Sequence, residues 1–135
     1  MDAAPNPTPF DLIGGEAKVF ALAEAFYDIM RRDEPALADL HRCEPDGRVS
    51  QDSRDRFALF LVGWLGGPQR YIAQFGHPRL RMRHAHVPVD LAMRDAWLRA
   101  MKQALDAQGV EGKLRAFIDA RFTDMADFMR NVEEG

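Results

Sequence analysis

At 135 residues the chain is long enough for one domain around one core. Its 47% hydrophobic and 29% charged content is ordinary for a globular protein, and it has no apolar run of about 18 residues to span a membrane. A formal net charge of −3 argues against a nucleic-acid partner, and a single cysteine, Cys43, excludes an internal disulfide and suits a reducing, cytoplasmic setting.

Met1 to Pro9 is Pro-rich, with neither the basic start nor the apolar core of a signal peptide. It is expected to be a disordered tail (residues 1–9) ahead of a single domain (residues 10–135). Val19, Leu22, Ala23, Phe26, Tyr27 and Met30 fall at three- and four-residue steps, which predicts an amphipathic helix over about 16–32. Asp33-Glu34-Pro35 closes it, and a short piece over 36–41 leads into a loop holding Pro45, Asp46 and Gly47. Phe57, Phe60, Leu61 and Trp64 mark a second long helix over about 51–65, stopped by Gly66-Gly67-Pro68. Asp90 suits the N-cap of a third helix with Trp97, Leu98, Met101, Ala104 and Leu105 on one face, ending at Gly109. Leu114, Phe117, Ile118, Met125, Phe128 and Met129 predict a fourth over about 111–132. No window alternates long enough for a strand, so the class is all-α.

The stretch from Gly63 to Trp97 is unusual for a helical domain. It holds His77, His84 and His86 and both tryptophans, and Pro68, Pro78 and Pro88 cut it into short pieces. Between Gln69 and Gln103, seven Arg and Lys stand against two acids, Asp90 and Asp95. That excess reads either as a solvated face or as a seat for a small anionic partner. The chain has no Cys/His spacing for zinc, no phosphate-binding glycine loop, no GxSxG and no internal repeat.

The order of pieces is a short helix, Gly14-Gly15, a long helix, a loop, a long helix, Gly66-Gly67, a short histidine-bearing piece and two long helices. With this order the chain resembles the truncated haemoglobins, and more narrowly their second group. The resemblance is carried by WLGGPQRY at Trp64 to Tyr71, GHPRLRMRHA at Gly76 to Ala85, RDAWL at Arg94 to Leu98, and the Phe26-Tyr27 pair. It runs from about Phe10 to Met101; beyond that only the helical pattern matches.

The resemblance implies a two-over-two α-helical sandwich around haem b, iron protoporphyrin IX. It implies that His84 is the proximal iron ligand, and imidazole suits that task. Outside the motif, a lone histidine such as His84 reads as a satisfied core residue. His77, between Gly76 and Pro78, suits a turn, and His86 is expected at solvent or a propionate. By the same resemblance, Tyr27 and Trp97 are distal residues, His41 joins them after the short helix, and Ser53 stands where many globins carry a distal histidine. Read alone, Tyr27 and Trp97 are equally amphipathic core residues. Phe57, Phe60, Leu61 and Leu80 are expected to wall the haem, and Arg81 and Arg83 to flank the proximal ligand, with at least one of them paired with a propionate. Cys43, in a polar loop, is assigned no role.

The function so implied is reversible binding of O2, and of other diatomic ligands such as CO and NO, at a pentacoordinate iron with a polar distal pocket. Several hydrogen-bond donors predict tight binding and slow release, which weighs against bulk oxygen transport. The alternative is a haem redox enzyme, NO dioxygenase-like or peroxidase-like, which would need an unidentified reductase. A third reading, a helical partner-binding domain that has lost its cofactor, conflicts with the intact His84 motif. Monomer and homodimer both stay open.

Overall fold

A short capped helix opens the described part of the chain. The computed structural model describes residues 7–77 and 89–130. α1 (Pro9–Ile13) begins in a capping box: the Asp11 amide donates to Thr8 Oγ1 at 3.2 Å, and the Thr8 amide donates to Asp11 Oδ2 at 3.1 Å. Thr8 and Pro9, expected in the tail, are the cap and the first residue of α1, where a proline costs no backbone bond. Gly14, at φ 118°, ends α1 in the left-handed region.

α2 (Glu16–Asp33) buries Val19, Leu22, Phe26, Tyr27 and Met30 along one face, as the three- and four-residue steps require. Pro35 begins α3 (Pro35–Ala38) directly after it. A loop follows, pinned by an isolated bridge between Cys43 and Val49. α4 (Gln51–Trp64) is capped by Ser50, whose hydroxyl accepts from the Ser53 amide. α5 (Arg70–Phe75) is a short turn of helix closed by Gly76. α6 (Leu91–Ala107) is capped by Asp90, which accepts from the Met93 amide at 2.9 Å. α7 (Gly112–Phe128) stops short of the expected residue 132. The Met129 amide is shared between the carbonyls of Met125 and Ala126, which tightens the last turn and closes the helix.

The described residues form no β-strand, and no described helix is long and apolar enough to cross a membrane. α2 packs on α4 on one side and on α6 on the other, and α6 packs on α7. Two helical pairs are thereby stacked, α2 with α4 over α6 with α7, the two-over-two arrangement. Ala96, Ala100 and Ala104 recur every fourth residue on α6 and are buried, so the backbones can approach closely there. Leu22, Phe26, Met30, Leu61, Met101, Leu105, Ile118 and Phe122 fill the centre with almost no exposure.

The α4–α5 corner explains a glycine pair. Gly66 adopts φ 99°, and a Cβ on Gly67 would stand 2.7 Å from the Phe10 ring. The Phe10 amide donates to the Leu65 carbonyl at 2.9 Å, so α1 is clasped against this corner. The corner ends α4 one turn beyond Phe60 and starts α5 with Tyr71 buried against Phe60, ring centres 6.0 Å apart.

Candidate functional site

A cleft of about 350 Å³ opens between the two helical pairs, a size suited to a small-molecule site. Each element contributes to its lining at helical spacing. α4 supplies Ser53, Arg56, Phe57 and Phe60, which fall on one face at three- and four-residue steps. α2 supplies Tyr27 alone, because the adjacent Phe26 turns into the core. α6 supplies Met93, Arg94 and Trp97, and the end of α7 supplies Met125 and Ala126, with Met129 beyond it. Leu37, Leu40 and His41 close one side and Tyr71 another.

The aromatic side chains lock one another. Tyr27 meets Phe57 edge-on at 5.7 Å and His41 edge-on at 5.6 Å. Trp97 stands edge-on to Phe26 at 5.1 Å and to Phe57 at 6.4 Å, and Phe122 supports it from the core at 5.4 Å. Trp64 stacks on Phe122 at 4.6 Å and takes no part in the lining.

The polar groups are few and differ in how far they are committed. The Tyr27 hydroxyl and the Trp97 indole N–H make no hydrogen bond with any described residue, although both rings line the cleft. Burial pushes the Tyr27 phenol well above the ordinary tyrosine value, and the Arg54 charge only partly opposes this. Tyr27 is therefore a proton-bearing donor throughout the neutral range. The His41 ring has one nitrogen fixed: Nδ1 lies 3.0 Å from the Leu37 carbonyl, which can only accept. Nδ1 must therefore carry the proton, and Nε2 of the neutral ring is an acceptor that becomes a donor only on protonation. Ser53 Oγ accepts from Ser50 Oγ at 3.0 Å, within the cap of its own helix.

Six of the residues singled out in the sequence meet in this cleft: Tyr27, His41, Ser53, Phe57, Phe60 and Trp97. Leu61 does not; it is fully buried in the core on the neighbouring face of α4. His84, His86, Leu80, Arg81 and Arg83 lie outside the described residues. His77 follows Gly76, at φ 80°, and is exposed. Sequence reasoning missed the cations Arg56 and Arg94 and the wall of Met93, Met125 and Met129. Spacing held the signal for two of them, since Arg56 follows Ser53 by three and Arg94 precedes Trp97 by three. Arg94 is tied to Asp95 at 2.9 Å and to Asp127, whereas Arg56 is exposed with its guanidinium over the Phe75 ring at 4.5 Å.

No group of three or more His, Cys, Asp or Glu among the described residues could cage a bare metal ion. The lining instead suits a flat apolar cofactor with charged edges. Phenylalanine and methionine walls would take its faces, exposed Arg56 would meet an anionic edge, and the uncommitted O–H and N–H would meet a small polar ligand.

Residues 8–131 match the bacterial-like globin family. The chain is 34% identical over 126 residues to the group 2 truncated hemoglobin YjbI of Bacillus subtilis, covering 93% of this chain and 90% of that one. Its structure is similar to the group II 2-on-2 hemoglobin of the plant pathogen Agrobacterium tumefaciens, with TM-score 0.87 and 34% identity over 98% of this chain and 100% of that one. It is also similar to the truncated oxygen-avid haemoglobin from Bacillus subtilis, with TM-score 0.80 and 33% identity over 93% of this chain and 100% of that one.

Proposed function

The chain belongs to the bacterial-like globin family, among its group II truncated haemoglobins, and on that premise we propose that it holds haem b in the cleft and reversibly binds a diatomic ligand there, chiefly O2, with CO and NO as competitors. Bound haem supplies an iron with one coordination position open to such a ligand. The observation that carries the reading is the pair of uncommitted donors, the Tyr27 O–H and the Trp97 N–H, lining one cleft with apolar walls.

In this reading the chain's own residues divide the work. His84, from the GHPRLRMRHA segment, is the proximal ligand. Phe57 and Phe60 wall the macrocycle and exclude water, which strengthens every polar contact inside. Tyr27 and Trp97 donate to the ligand atom that gathers negative charge. His41 orders the Tyr27 ring by edge contact and adds a donor when its ring is protonated. Ser53 is too short and too committed to replace them. Arg56 meets a propionate at the cleft edge, with Arg81 and Arg83 doing the same from the proximal side. Donors of this kind favour retention of O2, and an oxygen-avid relative supports the same reading.

The experiment is a spectrum of the purified protein in ferric, ferrous and ferrous–CO forms, with three variants. His84→Ala should lose haem or bind it weakly, while His77→Ala and His86→Ala should keep it. A normal ferrous–CO spectrum from His84→Ala without added imidazole would remove His84 from the axial position.

A further inference from the structure

Arg54 is the only charged side chain among the described residues that is fully buried. It reaches from α4 to α2, where its Nη1 contacts Glu24 Oε2 and Asp28 Oδ1, both at 2.9 Å. Its Nε donates to the Val49 carbonyl at 2.9 Å. Its Nη2 has no hydrogen-bond partner. The guanidinium carbon lies 5.7 Å from the centre of the Tyr27 ring, within range of a cation–π contact. Glu24 and Asp28 are one helical turn apart on α2, so one guanidinium nitrogen meets both carboxylates while the same guanidinium lies over the Tyr27 ring.

Such an arrangement needs a reason other than stability. Taking a cation out of water is costly, and a well-packed apolar side chain of similar volume is often at least as stabilising. Arg54 does not line the cleft. What it touches is the one ring of α2 that does.

We propose that Arg54 is a positioning residue for this pocket: held by Glu24, Asp28 and the Val49 carbonyl, it helps to fix the Tyr27 ring from outside the cleft and sets how strongly the Tyr27 hydroxyl donates to a ligand bound there. The inference rests on the reading of Tyr27 as that donor. Two effects act together. The fork fixes the ring's tilt, and a positive charge near the phenol makes its O–H the better donor. Glu24 and Asp28 are about one-third and three-fifths exposed, with side-chain accessibilities of 35% and 61%, so they stay hydrated when Arg54 is removed. Loss of Arg54 therefore disturbs Tyr27 more than it strands a buried charge.

The test uses the full-length haem protein in its ferrous–CO form, which is diamagnetic. Two signals are read: the C–O stretching frequency, and the fluorine resonance of Tyr27 after labelling with 3-fluorotyrosine. The label enters Tyr27 and Tyr71 only, and Tyr27→Phe assigns the two resonances. Arg54→Met should move the stretch in the same direction as Tyr27→Phe but less far, and should shift the Tyr27 resonance while leaving Tyr71 in place. Arg54→Lys, which keeps the charge but not the fork, should fall between Arg54→Met and the parent; should Arg54→Met not fold, this variant carries the test. Arg54→Met combined with Tyr27→Phe should match Tyr27→Phe alone. Parental signals in the Arg54 variants beside a shifted Tyr27→Phe stretch would overturn the positioning role and leave the function standing, as would an added shift in the double variant. An unshifted stretch in Tyr27→Phe itself would overturn the donor reading, and this inference with it.

Discussion

Tyr27 keeps its proton because burial penalises the phenolate far more than the nearby Arg54 charge favours it. That cause is visible only in three dimensions, because sequence periodicity marks Tyr27 as an inward residue without saying what lies beside it. The motif resemblance placed Tyr27 and Trp97 in the pocket, and the cleft brings them together. Arg54 escaped, since a charged residue on a helix reads as solvated and what buries it comes from another helix and a loop carbonyl. Glu34 gives a further test at this scale. The Arg99 side chain donates to it at 2.7 and 3.0 Å and holds its carboxyl below the usual range, against a smaller opposing effect of burial. A depressed carboxyl stabilises the fold above its unfolded pKa of about 4.3 and loses that contribution as pH falls through the folded value. Glu34→Gln should therefore cost about 0.2–1 kcal/mol in urea unfolding at neutral pH, a cost that fades as pH falls through the depressed folded pKa. A cost that persists in acid would mean the pair acts by packing.

Helix starts set by a cap are local events, and Asp90 announces α6 by its side-chain oxygen, whereas Pro35 reads as the close of α2 and is also the first residue of α3, which ends at Ala38 and not at the expected residue 41. The capping box at Thr8 was hidden inside a Pro-rich segment, although Thr8 and Asp11 have the required spacing. The end of α7 was not legible, since Met129 continues the apolar period after the backbone has closed. The Gly66-Gly67 stop was read as a breaker, but its second reason is tertiary: Gly67 leaves room for the Phe10 ring. Gly67→Ala should cost about 1–3 kcal/mol, as inserted bulk does in a packed site. Phe10→Ala should relieve much of that cost, because the two positions share one contact. An equal cost of Gly67→Ala in the Phe10→Ala background would show that backbone conformation, not the ring, demands the glycine.

At the scale of the whole molecule, the stacking of α2 and α4 on α6 and α7 leaves a cleft lined by Tyr27 of α2, by Met93, Arg94 and Trp97 of α6, by one face of α4 and by the end of α7. The all-α class and the order of the four long helices followed from periodicity, whereas the short helices α1 and α5 carry too few residues to show a period. The cleft did not follow from it, because it depends on how four faces meet. On the proposed function, Tyr27 and Trp97 hold a polar diatomic ligand by hydrogen bonds and do not merely fill space. A hydrogen bond to a strongly polarised partner is worth about 1.5–3 kcal/mol, and about 1.4 kcal/mol is tenfold in rate. Stopped-flow release of O2 and of CO from Tyr27→Phe, Trp97→Phe and the double variant tests it most directly. O2 release should be faster by on the order of tenfold or more in each single variant, with a smaller change for CO and a non-additive double variant because the donors share one ligand. Equal, small effects on O2 and CO would contradict it and make the pocket a steric gate.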